Sequence, residues 1–112
     1  MTRAKIFSGI CGFTTTVEAV MDGRDCVLLS IESECEAVQQ LAAELTQVDP
    51  FREITFKGDG PLTLRLAAQH LCHAACPVPA GIIKAVEVAA GLALPADATI
   101  KMSEDEHATL SN

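Results

Sequence analysis

The stretch that decides the fold runs Thr14-Thr15-Thr16-Val17-Glu18-Ala19-Val20-Met21-Asp22-Gly23-Arg24-Asp25-Cys26-Val27-Leu28-Leu29-Ser30-Ile31-Glu32. Residues 13–21 are rich in β-branched side chains, and 26–32 form a second β-favouring run. Asp22-Gly23 between them is a strong short-range hairpin signal, so the pair predicts an antiparallel hairpin. Upstream, residues 3–8 read as a short strand running into the glycine-flanked turn Gly9-Ile10-Cys11-Gly12. Downstream, Ser33 and Glu36 fit a capping box that opens a first helix carrying Val38, Leu41, Ala42 and Leu45, which Asp49-Pro50 ends. Phe51 to Lys57 reads as a possible short strand. Asp59-Gly60-Pro61 opens a second helix that runs to about Ala75. A third helix begins near Pro79 and closes at Gly91, and Asp97 to Met102 reads as a final strand. The expected class is α+β: a largely antiparallel sheet, from the N-terminal strands and hairpin plus the C-terminal strand, with about three helices packed on one face.

The chain has 112 residues, enough for one compact domain, expected over 1–103, followed by a polar acidic tail over 104–112. Four Phe and no Trp or Tyr leave the core to Ala, Val, Leu and Ile. A net charge of −7 repels polyanions, and no paired aromatics stand ready to stack on bases, so nucleic acid is a poor partner. The apolar region from about Ala74 to Ala96 is interrupted by Lys84, Glu87, Gly91 and three prolines, which argues against a membrane span. The N-terminus lacks an apolar export segment, so the expected location is the cytoplasm.

Five cysteines in so short a chain are many. Their odd number and the absence of an export signal favour metal binding or thiol chemistry over a disulfide framework. Cys72 and Cys76 stand four apart near the expected end of the second helix, on one face, with His73 bordering it. Cys11 lies in the glycine turn, where the backbone can approach a bound group. Cys35 falls in the first turn of the first helix, where free N–H groups favour a thiolate. Four cysteines at element ends look like a ligand set: Cys11, Cys35, Cys72 and Cys76, with His73 as substitute ligand. Soft thiolates suit zinc and an iron–sulfur cluster alike. Each cysteine also has a plainer reading as a small buried hydrophobe. Cys26, inside the hairpin's second strand, is assigned to the sheet.

The remaining polar residues carry weaker signals. His70 is expected to face solvent or cap a carbonyl, and His107 falls in the tail. Gly58-Asp59-Gly60 precedes a helix N-terminus and is a possible anion site, but without the lysine of a phosphate loop. Lys84 is expected to snorkel from the third helix.

Three function classes remain open. A metal or cluster protein uses the cysteine tetrad. A thiol redox protein uses Cys35 or Cys11 as the reactive group and another cysteine to resolve it. A non-catalytic binding or assembly module forms a homo-oligomer or meets a protein partner through the apolar 79–91 helix.

At Ser8-Gly9-Ile10-Cys11-Gly12-Phe13, at Cys72-His73-Ala74-Ala75-Cys76-Pro77-Val78-Pro79 and at Gly81-Ile82-Ile83-Lys84-Ala85, the chain resembles a family of small uncharacterised cysteine-containing proteins from anaerobic bacteria and archaea. The resemblance spans nearly the whole chain. It implies a reducing setting in which metal–thiolate chemistry is at home, and it implies no activity and no ligand assignments.

Overall fold

The β-branched runs form strands, and the hairpin joins the two central ones. In the computed structural model, which describes residues 1–105, the strands are β1 (Thr2–Phe7), β2 (Thr14–Met21), β3 (Val27–Ser33) and β4 (Gln47–Val48). They form one antiparallel sheet in the order β1-β2-β3-β4. Met21 pairs with Val27, and the Asp22 N–H donates to the Cys26 carbonyl at 2.7 Å. The connection therefore takes residues 22–26, and Cys26 lies in it rather than within the strand. Alternation puts Thr15, Val17, Ala19, Val27 and Leu29 on the buried face. The opposite face carries Arg3, Lys5, Glu18, Ser30 and Glu32, with an Arg3–Glu18 ion pair at 2.9 Å between neighbouring strands.

Among the described residues four helices follow, one more than expected: α1 (Glu36–Glu44), α2 (Pro50–Glu53), α3 (Leu62–His70) and α4 (Val78–Ala89). α1 lies on β3 and α4 on β1 and β2, with α3 between them. Val38, Leu41, Leu66, Val78, Ile82 and Val86 meet the sheet's apolar face in one core. The apolar face of α4 is thus spent on the sheet, and Lys84 points outward as expected.

Several boundaries differ from expectation. Ser33 is still paired in β3, opposite Thr15, so it cannot be the N-cap, and Cys35 takes that position. The Ser33 hydroxyl instead accepts from Thr15 Oγ1 at 2.9 Å and from the Cys35 N–H at 3.2 Å. α1 ends at Glu44, because the Leu29 N–H donates to the Thr46 carbonyl at 2.9 Å and draws residues 47–48 onto β3. No strand forms over 51–57. Asp49 Oδ1 accepts from the Phe51 N–H at 3.0 Å, and Pro50 starts α2 behind it. α3 stops at His70, not Ala75, since Leu71 turns extended (ψ 139°) and packs against the core. Asp97–Met102 is not a strand: the segment is fully exposed and meets no sheet edge.

Gly91 closes α4 as expected. With φ +74° it donates to the Val88 carbonyl at 3.0 Å while the Leu92 N–H donates to the Glu87 carbonyl at 2.9 Å, a Schellman turn. Any Cβ there meets the left-handed penalty, so Gly91→Ala is expected to cost about 1–2 kcal/mol, read by urea denaturation.

Candidate functional site: the cysteine-bearing end of the sheet

The connections between elements, rather than the elements themselves, carry the cysteines. Residues 8–13 turn tightly between β1 and β2: the Ser8 N–H donates to the Phe13 carbonyl at 3.0 Å and the Gly12 N–H to the Gly9 carbonyl at 2.8 Å. Gly9 (φ +84°) and Gly12 (φ +77°) take the left-handed angles this turn needs, and Cys11 between them is exposed. Cys35 follows β3 as the N-cap of α1, half-buried against the core margin, and its side chain makes no capping bond.

β1 and β3 run in the same direction on either side of β2. Phe7 pairs with Thr14 and Ser33 with Thr15, so both strands finish at one end of the sheet. Cys11 and Cys35 therefore emerge at that end. Cys26 precedes β3 and lies at the other, about 23 Å away along seven strand residues. Its thiol faces Gln47 Oε1 at 3.9 Å.

Cys72 and Cys76 lie beyond α3 rather than on it. Residues 71–77 are a non-helical connection in which the Cys76 N–H donates to the His73 carbonyl at 3.2 Å. The shared helix face read from their spacing does not exist. Cys72 and His73 are exposed, and Cys76 is half-buried against the core. Cys76 stands five residues before Gly81, which packs directly on Ile6 near the end of β1. The Gly81 N–H donates to the Pro77 carbonyl, so four of those five steps follow the helical rise and the span is at most about 10 Å.

All five thiols are free. Four sulfurs around one zinc lie about 2.3 Å from the ion, hence within roughly 4 Å of each other. Among the described residues no three His, Cys, Asp or Glu side chains come together in that way. The tetrad is not a preassembled coordination shell. His107 lies outside the described residues.

Glu53 is the polar residue that the sequence gives no sign of. It is 2% exposed, and its carboxylate accepts from the Leu62 N–H at 2.7 Å, the Thr63 N–H at 2.9 Å and the Thr63 hydroxyl at 2.5 Å. The Leu62 and Thr63 donors at the start of α3 are thereby taken by Glu53, which leaves them unavailable to the possible anion site at Gly58-Asp59-Gly60. His70 pairs with Glu44, tying the end of α3 to the end of α1. A shallow groove of about 430 Å³ passes Asp25, Cys26, Gln47, Asp49, Arg52 and Arg65. Arg52 and Asp49 approach each other at 3.8 Å on its rim. No helix among the described residues is long and apolar enough to cross a membrane.

The sequence profile of a family of unknown function (DUF6951) matches residues 2–102. No curated protein and no solved structure matches the chain.

Proposed function

The chain belongs to the DUF6951 family of unknown function, and from its own residues we propose a small cytoplasmic thiolate protein that binds zinc or an iron–sulfur cluster. The ligands would be Cys11, Cys35, Cys72 and Cys76, with His73 as substitute ligand. The supporting observation is the distribution of the five cysteines over the fold. Cys11 and Cys35 leave the sheet at one end, Cys76 precedes the helix that starts against it, and Cys26, outside the proposed set, lies at the other.

Binding requires the 8–13 and 71–77 connections to close on the ion. Structural zinc supplies about 10–16 kcal/mol, whereas ordering a residue costs about 1–2 kcal/mol. Residues 8–13 are already held by hydrogen bonds, so the balance favours closure. The anaerobic setting that the resemblance implies would keep the thiols reduced.

Anaerobic purification, metal analysis and an absorbance spectrum test the proposal. Stoichiometric zinc, or iron with sulfide, is the expected result. No metal as isolated and none after reconstitution sinks it. Cys76→Ser should lose metal retention while Cys26→Ser keeps it, since a neutral hydroxyl is a poor ligand for a soft ion. Equal effects would remove the tetrad.

A second reading, thiol redox chemistry, draws on the exposure of Cys11 in its glycine turn and on Cys35 at the start of α1. Alkylation rates separate the two readings: a metal-free protein with one thiol reacting well above the others supports redox. Uniformly slow thiols reject it.

A further inference from the structure

β1 forms one edge of the sheet. Because the Ser8 N–H bonds to Phe13, antiparallel alternation directs the main-chain groups of Thr2, Ala4 and Ile6 toward β2 and those of Arg3, Lys5 and Phe7 outward. The outward groups have no main-chain partner among the described residues. The edge bears two basic side chains in a chain of net charge −7, and next to them Phe7 is 66% exposed.

Elsewhere, Asp97-Ala98-Thr99-Ile100-Lys101-Met102 alternates as a half-buried strand does and has no sheet to join. Its apolar positions are open: Ile100 is 82% exposed and Met102 87%. The molecule's longest dimension is 54 Å against 31 and 27 Å across it. Residues 94–105 are exposed throughout and belong to no helix or strand.

We propose that residues 97–102 of a second copy of this chain add to the edge of β1 as a parallel strand, in the register Asp97–Arg3, Thr99–Lys5, Lys101–Phe7. The match is chemical on both faces. On the helix side, Ala98 and Ile100 extend the half-buried row of Ala4 and Ile6. On the open side, Asp97 joins Glu18 on the Arg3 guanidinium, whose Nη2 already holds Glu18 at 2.9 Å, and the Lys101 ammonium lies over the exposed Phe7 ring. No like charges face each other. An antiparallel register that puts Asp97 opposite Phe7 sets Lys101 against Arg3, and charge disfavours it. In the parallel register the Ile100 N–H donates to the Lys5 carbonyl and its carbonyl accepts from the Phe7 N–H. Reciprocal exchange by two copies covers both β1 edges in a closed dimer.

The test uses the full chain, wild type and Ile100→Pro, in sedimentation over a range of concentrations, with amide exchange read at Arg3, Lys5 and Phe7. Proline removes the Ile100 donor in a segment that supports no other element, so the body's thermal melt should be unchanged at low concentration. The expected result is a wild-type dimer with concentration-dependent protection of those three amides. Ile100→Pro should associate about tenfold or more weakly and lose the protection. Three results overturn the proposal: a wild-type monomer at every concentration, a dimer that Ile100→Pro leaves intact, or protection present in the monomer. Asp97→Lys provides a second variant and should also weaken association, the more so at low salt.

Discussion

Replacing Glu53 with Ala is expected to lower stability by about 3 kcal/mol, read as a fall of roughly 10–15 °C in Tm. The carboxylate is almost fully enclosed and accepts three hydrogen bonds from Leu62 and Thr63. It acts as an N-cap supplied from another helix: α3 has Pro61 before its first turn and no capping side chain of its own. Alanine leaves two main-chain N–H groups and one hydroxyl facing a space too enclosed for full hydration, and each unsatisfied donor costs about 1 kcal/mol or more. Thr63→Val is the informative contrast. It removes one bond and leaves both main-chain donors satisfied, so it should cost about 1 kcal/mol. If Glu53→Ala costs no more than Thr63→Val, water replaces the carboxylate and the cap is not what holds α3 in place.

Glu53 also marks where reading the sequence ends. Its partners stand nine and ten residues downstream, across a loop, and nothing in the local pattern of Phe51 to Lys57 distinguishes a strand from one turn of helix. The same holds for β4: the bond from Leu29 to Thr46 joins segments seventeen residues apart, and it overrides the local preference of 45–48 to continue α1. The β2–β3 hairpin and α4 were legible because their signals are local. One is a β-branched run broken by Asp-Gly, the other an apolar helix ending in Gly91. The end of α3 is not legible in the sequence, because Ala74 and Ala75 favour helix whereas the core draws Leu71 inward and the chain turns there.

The candidate site shows the same division. Residue type and position at element ends single out Cys11, Cys35, Cys72 and Cys76, and the register of β1, β2 and β3 brings the first two to one end of the sheet. Spacing along the chain could not show that Cys72 and Cys76 leave the helix. Once they do, the four-residue interval carries no shared face. Whether thiols can meet is then a property of two connections. The chemistry proposed for them consequently depends on loop closure rather than on helix geometry.

The packing of α4 on β1 turns on one residue without a side chain. A Cβ built on Gly81 would fall on Ile6 Cδ1 and within 2.5 Å of Cγ1, while Ile6 Cβ would remain at an ordinary 3.7 Å. Alanine favours helix over glycine by about 1 kcal/mol, which alone would make Gly81→Ala stabilising. The overlap opposes it. Ile6 is β-branched and stiff at χ1, so moving both atoms aside means either leaving its rotamer or lifting α4 from the sheet, at about 1–3 kcal/mol or more. The net expectation is a loss of about 2 kcal/mol for Gly81→Ala and a larger one for Gly81→Val. Ile6→Ala alone opens a half-buried space beside the glycine and should cost about 2 kcal/mol. Together the two substitutions replace one filled volume with another, because the new methyl occupies the space that the isoleucine leaves. Chemical denaturation of the four proteins in a double-mutant cycle should therefore give a coupling of about 2 kcal/mol, the double variant being more stable than the sum of the single losses predicts. Simple additivity would mean that Ile6 yields freely and that glycine is not required for α4 to approach the sheet.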